Sequence, residues 1–170
     1  MFEDHNPLKG NTMGSRLDVE NAYIAGFLDG DGSIMLQVKK RSDCRSGYRF
    51  MATICLYQDT RHDKNLFWIR DLLNIGYISK RKDGITEMRI NGFFSVYSVL
   101  CDLLPYIRFK KFQAEKMIEA CRILNSRLHT ISKDNLLALT EIVFLIQNEN
   151  YKSSKRKNKE EILKMLNLTP

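Results

Sequence analysis

Three small residues at intervals of four positions constrain the fold of this chain more than any other feature. Ala22, Gly26 and Gly30 share one face of a helix, because residues four apart lie one turn above another. None of them carries a large side chain, so a second helix can approach this face until the two backbones are close. The spacing therefore predicts a helix that packs against another helix through its smallest residues.

An acidic turn follows this helix. The run Asp29-Gly30-Asp31-Gly32 forms turns readily in any protein, and its opening is also similar to that of a calcium-binding loop. That loop requires a glutamate at its twelfth position, which here is Lys40, so a calcium sensor is excluded. A helix end has unpaired carbonyl oxygens, and the Asp31 carboxylate adds a charged oxygen beside them. A divalent cation could bind there if a second copy of the chain and phosphate groups supplied further ligands.

The rest of the sequence predicts an α+β fold. Asp18 is expected to cap the first helix, which runs through Leu28 and is ended by the glycines of the turn. Alternation with a period of two predicts strands near 33–41 and 49–57 and a second hairpin around Lys82-Asp83-Gly84. We therefore expect an αββαββα core with a curved four-stranded antiparallel sheet, followed by extra C-terminal helices. The predicted organisation is an N-terminal extension (1–17), a single domain (18–150) and a basic tail with a short helix (151–170).

The predicted sheet has one apolar face and one polar, basic face. Arginine reads guanine and glutamine reads adenine in the major groove, which admits a ribbon or curved sheet of this kind. An ordinary solvent-facing sheet would also be polar, but it would not explain the bias toward long cations. The residues predicted to bind nucleic acid are Ser33, Met35, Gln37, Lys39, Arg41, Arg49, Met51, Thr53, Cys55, Tyr57, Ser79, Arg81, Glu87 and Arg89. Met35, Met51 and Cys55 in this set are poor hydrogen-bonding groups. They would contact thymine methyl groups or recognise the shape of the DNA.

Composition favours a polyanionic partner. The 170 residues include 27 Lys and Arg against 20 Asp and Glu, a formal net charge of +7. We expect no membrane partner, because the sequence has neither a signal peptide nor an apolar run long enough to span a bilayer. The cysteines, at positions 44, 55, 101 and 121, lack the close paired spacing of zinc sites and are expected to be free thiols in a reducing compartment.

Two segments of the chain resemble the LAGLIDADG homing endonucleases, specifically their single-motif, homodimeric branch. The first is Ile-Ala-Gly-Phe-Leu-Asp-Gly-Asp-Gly-Ser-Ile, residues 24–34; the second is Leu-Pro-Tyr-Ile-Arg-Phe-Lys-Lys-Phe-Gln-Ala, residues 104–114. The resemblance extends over roughly 21–125, and the signature occurs once. It therefore implies an isologous dimer. The predicted interface comprises Ala22, Gly26, Phe27 and Gly30.

The resemblance implies cleavage of double-stranded DNA. The expected reaction is metal-dependent hydrolysis of both strands of a long pseudo-palindromic target, leaving short 3′ overhangs and promoting intron mobility. Asp31 and Gly30 are the implied Mg²⁺ ligands; Mn²⁺ is expected to substitute, and Ca²⁺ to support binding without cleavage. No small-molecule substrate is expected. The site of action would be a mitochondrion or chloroplast if the gene lies there, and otherwise a bacterial or archaeal cytoplasm.

Three further catalytic residues follow from matching positions. The resemblance implies that Gln58 positions the attacking water and that Lys110 supplies positive charge to the solvent network or the phosphate. His62 lies where relatives carry a basic residue and is a candidate for a pH-sensitive pocket group, although a surface histidine without a role is an equal alternative.

Two other functions stay open at this point. A maturase-like RNA-binding protein that assists intron splicing would use the same basic sheet, and a DNA-binding repressor could have lost cleavage. The retained acid, amide and lysine at positions 31, 58 and 110 favour the nuclease. The basic run at 152–159 is either a solvated linker or a contact to the nucleic-acid backbone, and we favour the contact.

Overall fold

The computed structural model of the chain describes residues 13–43, 47–125, 131–150 and 158–168. The order of its elements confirms the predicted αββαββα core, with three more helices after it. The elements are α1 (Met13–Asp31), β1 (Gly32–Lys40), β2 (Tyr48–Asp59), a 3₁₀ turn (Thr60–His62), α2 (Lys64–Leu73), β3 (Tyr77–Lys80), β4 (Ile85–Asn91), α3 (Phe93–Leu103), α4 (Lys111–Asn125), α5 (Lys133–Glu149) and α6 (Lys159–Met165).

The four strands form one antiparallel sheet in the order β1-β2-β4-β3. Strand β1 pairs along its whole length with β2, from Gly32 opposite Leu56 to Lys40 opposite Tyr48. Strand β2 is longer than β1 and continues to Asp59, two residues beyond the predicted end. Gln58 therefore lies within a strand, at the end of β2 that extends past the start of β1.

The hydrophobic core lies on one face of this sheet. Alternate residues of the strands are buried there, as the period of two predicts, and helices α1 to α5 pack near that face. Helix α1 contributes its own buried row on the side away from the small residues. The buried strand residues include Ile34, Leu36, Val38, Phe50, Ala52, Ile54, Leu56, Met88 and Ile90, and those of α1 are Ile24, Ala25 and Leu28.

The predicted start of α1 is wrong. The helix begins at Met13 rather than at Asp18, and it continues through Asp31. Arg16 and Glu20 form an ion pair one turn apart at 3.2 Å, which supports the additional turn. The Asp18 carboxylate accepts a hydrogen bond from the Tyr106 hydroxyl at 2.8 Å instead of capping α1, so a tertiary contact uses the predicted capping group.

Several other expectations concern the ends of the chain and the thiols. Helix α6 agrees with the short final helix, while most of the basic run lies outside the described residues, as does Cys44. The other three cysteines are free. Within the described residues, no helix has the length and apolarity needed to cross a membrane. The division at 17/18 and 150/151 stays a prediction.

Gly32 joins α1 directly to β1, and the contact there leaves no room for a side chain. A Cβ atom at this position would lie 2.5 Å from Leu28 Cδ1 and 2.7 Å from the Leu28 carbonyl oxygen. Leu28 is fully buried within α1, so neither its Cδ1 atom nor its carbonyl oxygen can move freely. The second glycine of the acidic turn is therefore required by packing.

We expect Gly32→Ala to lower the free energy of unfolding by about 1–3 kcal/mol, because the added methyl group overpacks the junction. Chemical denaturation with circular dichroism would measure the change. Ser98→Ala, at an exposed position on α3, is the control and should stay within about 0.5 kcal/mol of the parent. Equal stability of Gly32→Ala and the control would contradict this account of the junction.

Candidate functional site

The first acid of the turn, Asp29, clamps the end of α1 to the segment before α4. Its carboxylate accepts backbone N–H bonds from Arg108 at 2.7 Å, Phe109 at 3.2 Å and Lys110 at 2.9 Å. Three donors that precede a helix are thus satisfied by one carboxylate from a distant part of the chain. Asp29 is therefore a structural residue of the site, and its neighbour Asp31 is left exposed at the last position of α1.

Lys110 lies against the same helix end. Its side chain is 9% exposed, and its ammonium donates to the carbonyl oxygens of Asp29 and, at 3.4 Å, Gly30. Burial lowers the pKa of Lys110, while the negative charges of Asp29 and Asp31 oppose that shift. The structure therefore brings together three of the residues predicted from the sequence: Gly30, Asp31 and Lys110.

The donor atoms at this end of α1 fit a hard divalent cation. One chain offers the Asp31 carboxylate and the Gly30 carbonyl, both oxygen ligands of the kind that Mg²⁺ takes. The Lys110 ammonium on the Gly30 carbonyl shows that this helix end attracts positive charge. Within the described part of the chain, no group of three or more His, Cys, Asp or Glu side chains could hold a metal.

Gln58 and His62 lie at the far end of β2 and in the turn that follows it. The Gln58 side-chain oxygen accepts the Asp59 backbone N–H at 2.9 Å, which orients the amide. His62 is exposed at the end of the 3₁₀ turn. Among the described residues, no hydrogen bond joins Gln58 or His62 to Asp31. Helix α1 leads into β1 at one end of the β1–β2 pair. Gln58 lies at that same end, because β2 extends past the start of β1.

A polar network centred on the buried residues Asp63 and Thr86 holds this turn in place. The Asp63 carboxylate binds Lys80 at 2.9 Å and the Thr86 hydroxyl at 3.1 Å, and Thr86 in turn contacts the Thr60 hydroxyl at 2.9 Å. The Lys80 hydrogen bond, assisted by that of Thr86, holds the pKa of Asp63 below its ordinary value. The turn that carries His62 is thereby tied to the β3–β4 hairpin.

The polar face of the sheet contains twelve of the fourteen predicted nucleic-acid-binding residues, while Arg41 and Arg81 directly follow β1 and β3. The exposure of the fourteen differs. The exposed members are Gln37, Lys39, Arg41, Arg49 and Arg81; the half-buried members are Ser33, Met35, Met51, Tyr57, Ser79 and Arg89. The remaining three, Thr53, Cys55 and Glu87, are buried. Each of the three binds a neighbour on the same face: Thr53 binds Asn91, and Glu87 binds both Arg89 and Cys55. Direct contact of these three with nucleic acid stays a prediction.

Three residues of this region were not predicted from the sequence. Asp29 makes its contacts with a segment about 80 residues away, and no local spacing indicates them. Asn91 is the next residue after Glu87 and Arg89 in the alternating row on the polar face of β4. Its side-chain oxygen accepts a hydrogen bond from the Thr53 hydroxyl at 2.8 Å, and its amide nitrogen donates to the Tyr77 hydroxyl at 3.4 Å. Continuing the period of two would have found Asn91. Phe109, with 87% of its surface exposed, had no signal beyond its place in the second motif.

The small-residue face of α1 is uncovered in the single chain. Ala22, Gly26 and Gly30 are exposed, and a Cβ atom added at either glycine would meet no atom within 4 Å. Phe27 is half-buried beside them. Large apolar side chains are exposed near this face: Tyr23, on the same helix, stacks edge-on against Trp68 at 5.6 Å between ring centroids. The apolar surface therefore extends beyond the four predicted interface residues.

Comparisons with known proteins agree with this geometry. A family model described as LAGLIDADG endonuclease matches residues 24–121. The chain is 30% identical over 146 residues to DNA endonuclease I-CvuI of Chlorella vulgaris, which covers 85% of this chain and 90% of the relative. It is 27% identical over 104 residues to DNA endonuclease I-CreI of Chlamydomonas reinhardtii, covering 61% and 63%.

Solved structures of I-CvuI are also similar. One, in complex with the I-CreI target in 2 mM Mg with the DNA not cleaved, has a TM-score of 0.80 at 26% identity and covers 89% of this chain and 97% of the other. A second, in complex with the I-CvuI target in 2 mM Ca, has a TM-score of 0.79 at 25% identity, with 92% and 99% covered.

We expect Asp29→Asn to destabilise the fold by about 1–3 kcal/mol, because an amide offers one acceptor oxygen where the carboxylate offers two charged ones. Chemical denaturation would measure the loss. Asp102→Asn, the same change at an exposed position on α3, is the control and should be close to neutral. If both variants were equally stable, the clamp would not contribute to folding.

Proposed function

The chain belongs to the LAGLIDADG endonuclease family, and on that premise we propose that it is a site-specific homing endonuclease that cuts both strands of DNA. One observation carries the proposal: the exposed Asp31 carboxylate, the Gly30 carbonyl and the buried Lys110 ammonium meet at one end of α1. Acid, helix-end carbonyl and ammonium together suit hydrolysis of a phosphodiester, whose transition state gathers negative charge. The proposed biological role is intron mobility.

The active enzyme is proposed to be a homodimer. The chain carries a single signature, and one copy holds only a partial donor set among its described residues. The open face at Gly26 and Gly30 would let α1 pack against α1 of a second copy about a two-fold axis. Two acidic helix ends would then lie side by side over the centre of a duplex. The two sheets would read half-sites of opposite orientation, which makes the target long and pseudo-palindromic.

Asp31 and the Gly30 carbonyl would hold Mg²⁺, with DNA phosphates completing the coordination. The ion, when bound, would stabilise charge on the attacking and leaving oxygens. Mn²⁺ is proposed to substitute for it, and Ca²⁺ to support DNA binding without cleavage. I-CvuI with its target has been solved in 2 mM Ca, which supports a divalent cation in this family.

The other residues would act on water and charge. Lys110, held at the helix end by two carbonyl oxygens, would offset negative charge on the phosphate. Gln58 cannot act as a strong base, so its amide would orient the attacking water. His62, exposed at the end of the turn, is proposed as a pocket group. The buried Asp63 network would hold the turn that carries it.

Base recognition would use the polar face of the sheet. Gln37, Lys39 and Arg49 are exposed and would contact phosphates and base edges, and the half-buried residues line the surface between them. Arg41 and Arg81 form ion pairs with Asp43 and Asp83 and would exchange those partners for phosphates. Asn91 joins the predicted set, since its amide can both donate and accept. The basic run at 152–159 is proposed to contact the DNA backbone. The proposed site of action is a mitochondrion or chloroplast if the gene lies there, and otherwise a bacterial or archaeal cytoplasm.

We expect the purified protein, with Mg²⁺ and a randomised duplex library, to cut both strands at one pseudo-palindromic site and leave short 3′ overhangs. Asp31→Asn should lower the cleavage rate at least about a hundredfold while binding persists, because it removes a charged metal ligand. Asp102→Asn, on the exposed side of α3, should cut like the parent. Sequencing of the cleaved ends would identify both the target and the overhang.

Other results, from this experiment or from a parallel RNA-binding assay, would contradict the nuclease. Selective duplex binding without cleavage, in parent and variant alike, would indicate a repressor. Absence of duplex binding together with binding of a structured intron RNA would indicate a maturase-like protein.

We expect Gly26→Leu to convert the dimer to a monomer at micromolar concentration, with the dissociation constant raised at least about a hundredfold, because the new side chain separates the two α1 helices. The monomer itself should fold, since a side chain at Gly26 begins in open space. Analytical ultracentrifugation would measure the change. Ser98→Leu, an exposed position on α3, is the control. An unchanged dimer in Gly26→Leu would place the interface elsewhere.

A further inference from the structure

A second polar cluster lies on the sheet and centres on Glu87. This residue belongs to β4, one of the two inner strands, and only 6% of its surface is exposed. Arg89, two positions along on the same face, brings its Nη2 within 2.9 Å of both carboxylate oxygens. A buried carboxylate needs a charged partner to offset the loss of hydration. Arg89 is that partner.

Two residues of β2, Cys55 and Tyr57, lie beside the Glu87–Arg89 pair. Cys55, paired with Arg89 across the β2–β4 ladder, is fully buried, and its Sγ lies 3.7 Å from a Glu87 oxygen. Burial raises the pKa of the Cys55 thiol, so at neutral pH the thiol is protonated and donates to Glu87. Tyr57 lies opposite Glu87 in the same ladder. The carboxylate is therefore held from two sides.

Arg89 differs from Glu87 in its access to solvent. Its side chain is 38% exposed, against 8% for the carboxylate. The ion pair engages Nη2, but one Nη2 N–H and the adjacent Nη1 can still form a donor fork, because Nη2 carries two hydrogens. Guanine presents two acceptors in the major groove, and a planar guanidinium can donate to both at once. A guanidinium that is already oriented loses little conformational freedom when it binds.

We propose that Glu87 sets base specificity through Arg89, by orienting the guanidinium to read guanine at one base pair of each half-site. Glu87 is a positioning residue and does not touch the DNA. The proposal rests on the proposed DNA-binding function, and it replaces the predicted direct contacts of Glu87 and Cys55 with a supporting role.

The test is a base-preference profile of Glu87→Gln, measured by binding to duplexes that carry every single substitution in the selected target. Binding is measured in Ca²⁺, with the full-length protein. We expect the preference for guanine at one base pair per half-site to fall about tenfold, with the other positions unchanged. Glu119→Gln makes the same change in an exposed ion pair with Lys116 on α4 and should keep the parental profile.

Two further variants show whether Glu87 acts through Arg89. In an Arg89→Ala background, Glu87→Gln should add no further change at that base pair. A further change there would overturn the proposal, because Glu87 would then act on the DNA directly. Arg89→Lys keeps the charge but not the planar fork, and should lose the same guanine preference. Arg89 is only half-buried, so Arg89→Lys still tests the proposal if Glu87→Gln does not fold. An unchanged base-preference profile of Arg89→Lys would overturn the proposal.

Failure of the two proposals can be told apart. If the parent protein binds no duplex selectively, the proposed function fails and the role of Glu87 fails with it. If the parent binds selectively and Glu87→Gln keeps the parental profile, only the role of Glu87 is overturned.

Discussion

The structure depends on a junction without a loop, where the last residue of α1 is followed directly by the first residue of β1. Such a junction needs a residue without a side chain, and Gly32 lies within contact distance of Leu28. It also needs a brace for the helix end, and Asp29 provides one through three backbone N–H groups. The direction of α1 relative to the sheet is thereby defined, and so is the position of Asp31.

One helix consequently serves three purposes. Its buried row contributes to the core, its small-residue face is open to a second helix, and its end presents a carboxylate and carbonyl oxygens. Because all three are on one rigid element, dimerisation through the open face would also define the separation of the two acidic ends. This explains why a short motif combines glycines and acids so densely. Lys110 links the same helix end to α4, so the two motif segments of the sequence, 24–34 and 104–114, form a single site.

Much of this could be predicted from the sequence because it depends on local periodicity. Alternation over residues 33–41 and 49–57 identified the strands and their buried faces, and the single motif identified the family. The start of α1 was missed because Asp18 has a tertiary partner in Tyr106. The burial of Cys55 and Glu87 could not be predicted from the alternation. Alternation assigns each residue to a face of the sheet, but it does not indicate how much of that residue stays exposed once its neighbours have packed.

The sequence by itself determined the order of the elements, the two faces of the sheet and the acidic end of α1, because periods of 3.6 and 2 and the chemistry of glycine act over a few residues. Only the tertiary structure decided which acid is structural and which is exposed, which lysine reaches the helix end, and which polar residues of the sheet are accessible. Those outcomes depend on contacts between residues roughly 30 to 80 positions apart, as between Cys55 and Glu87 or Asp29 and Lys110. Such contacts exist only once the helices and the sheet have packed together.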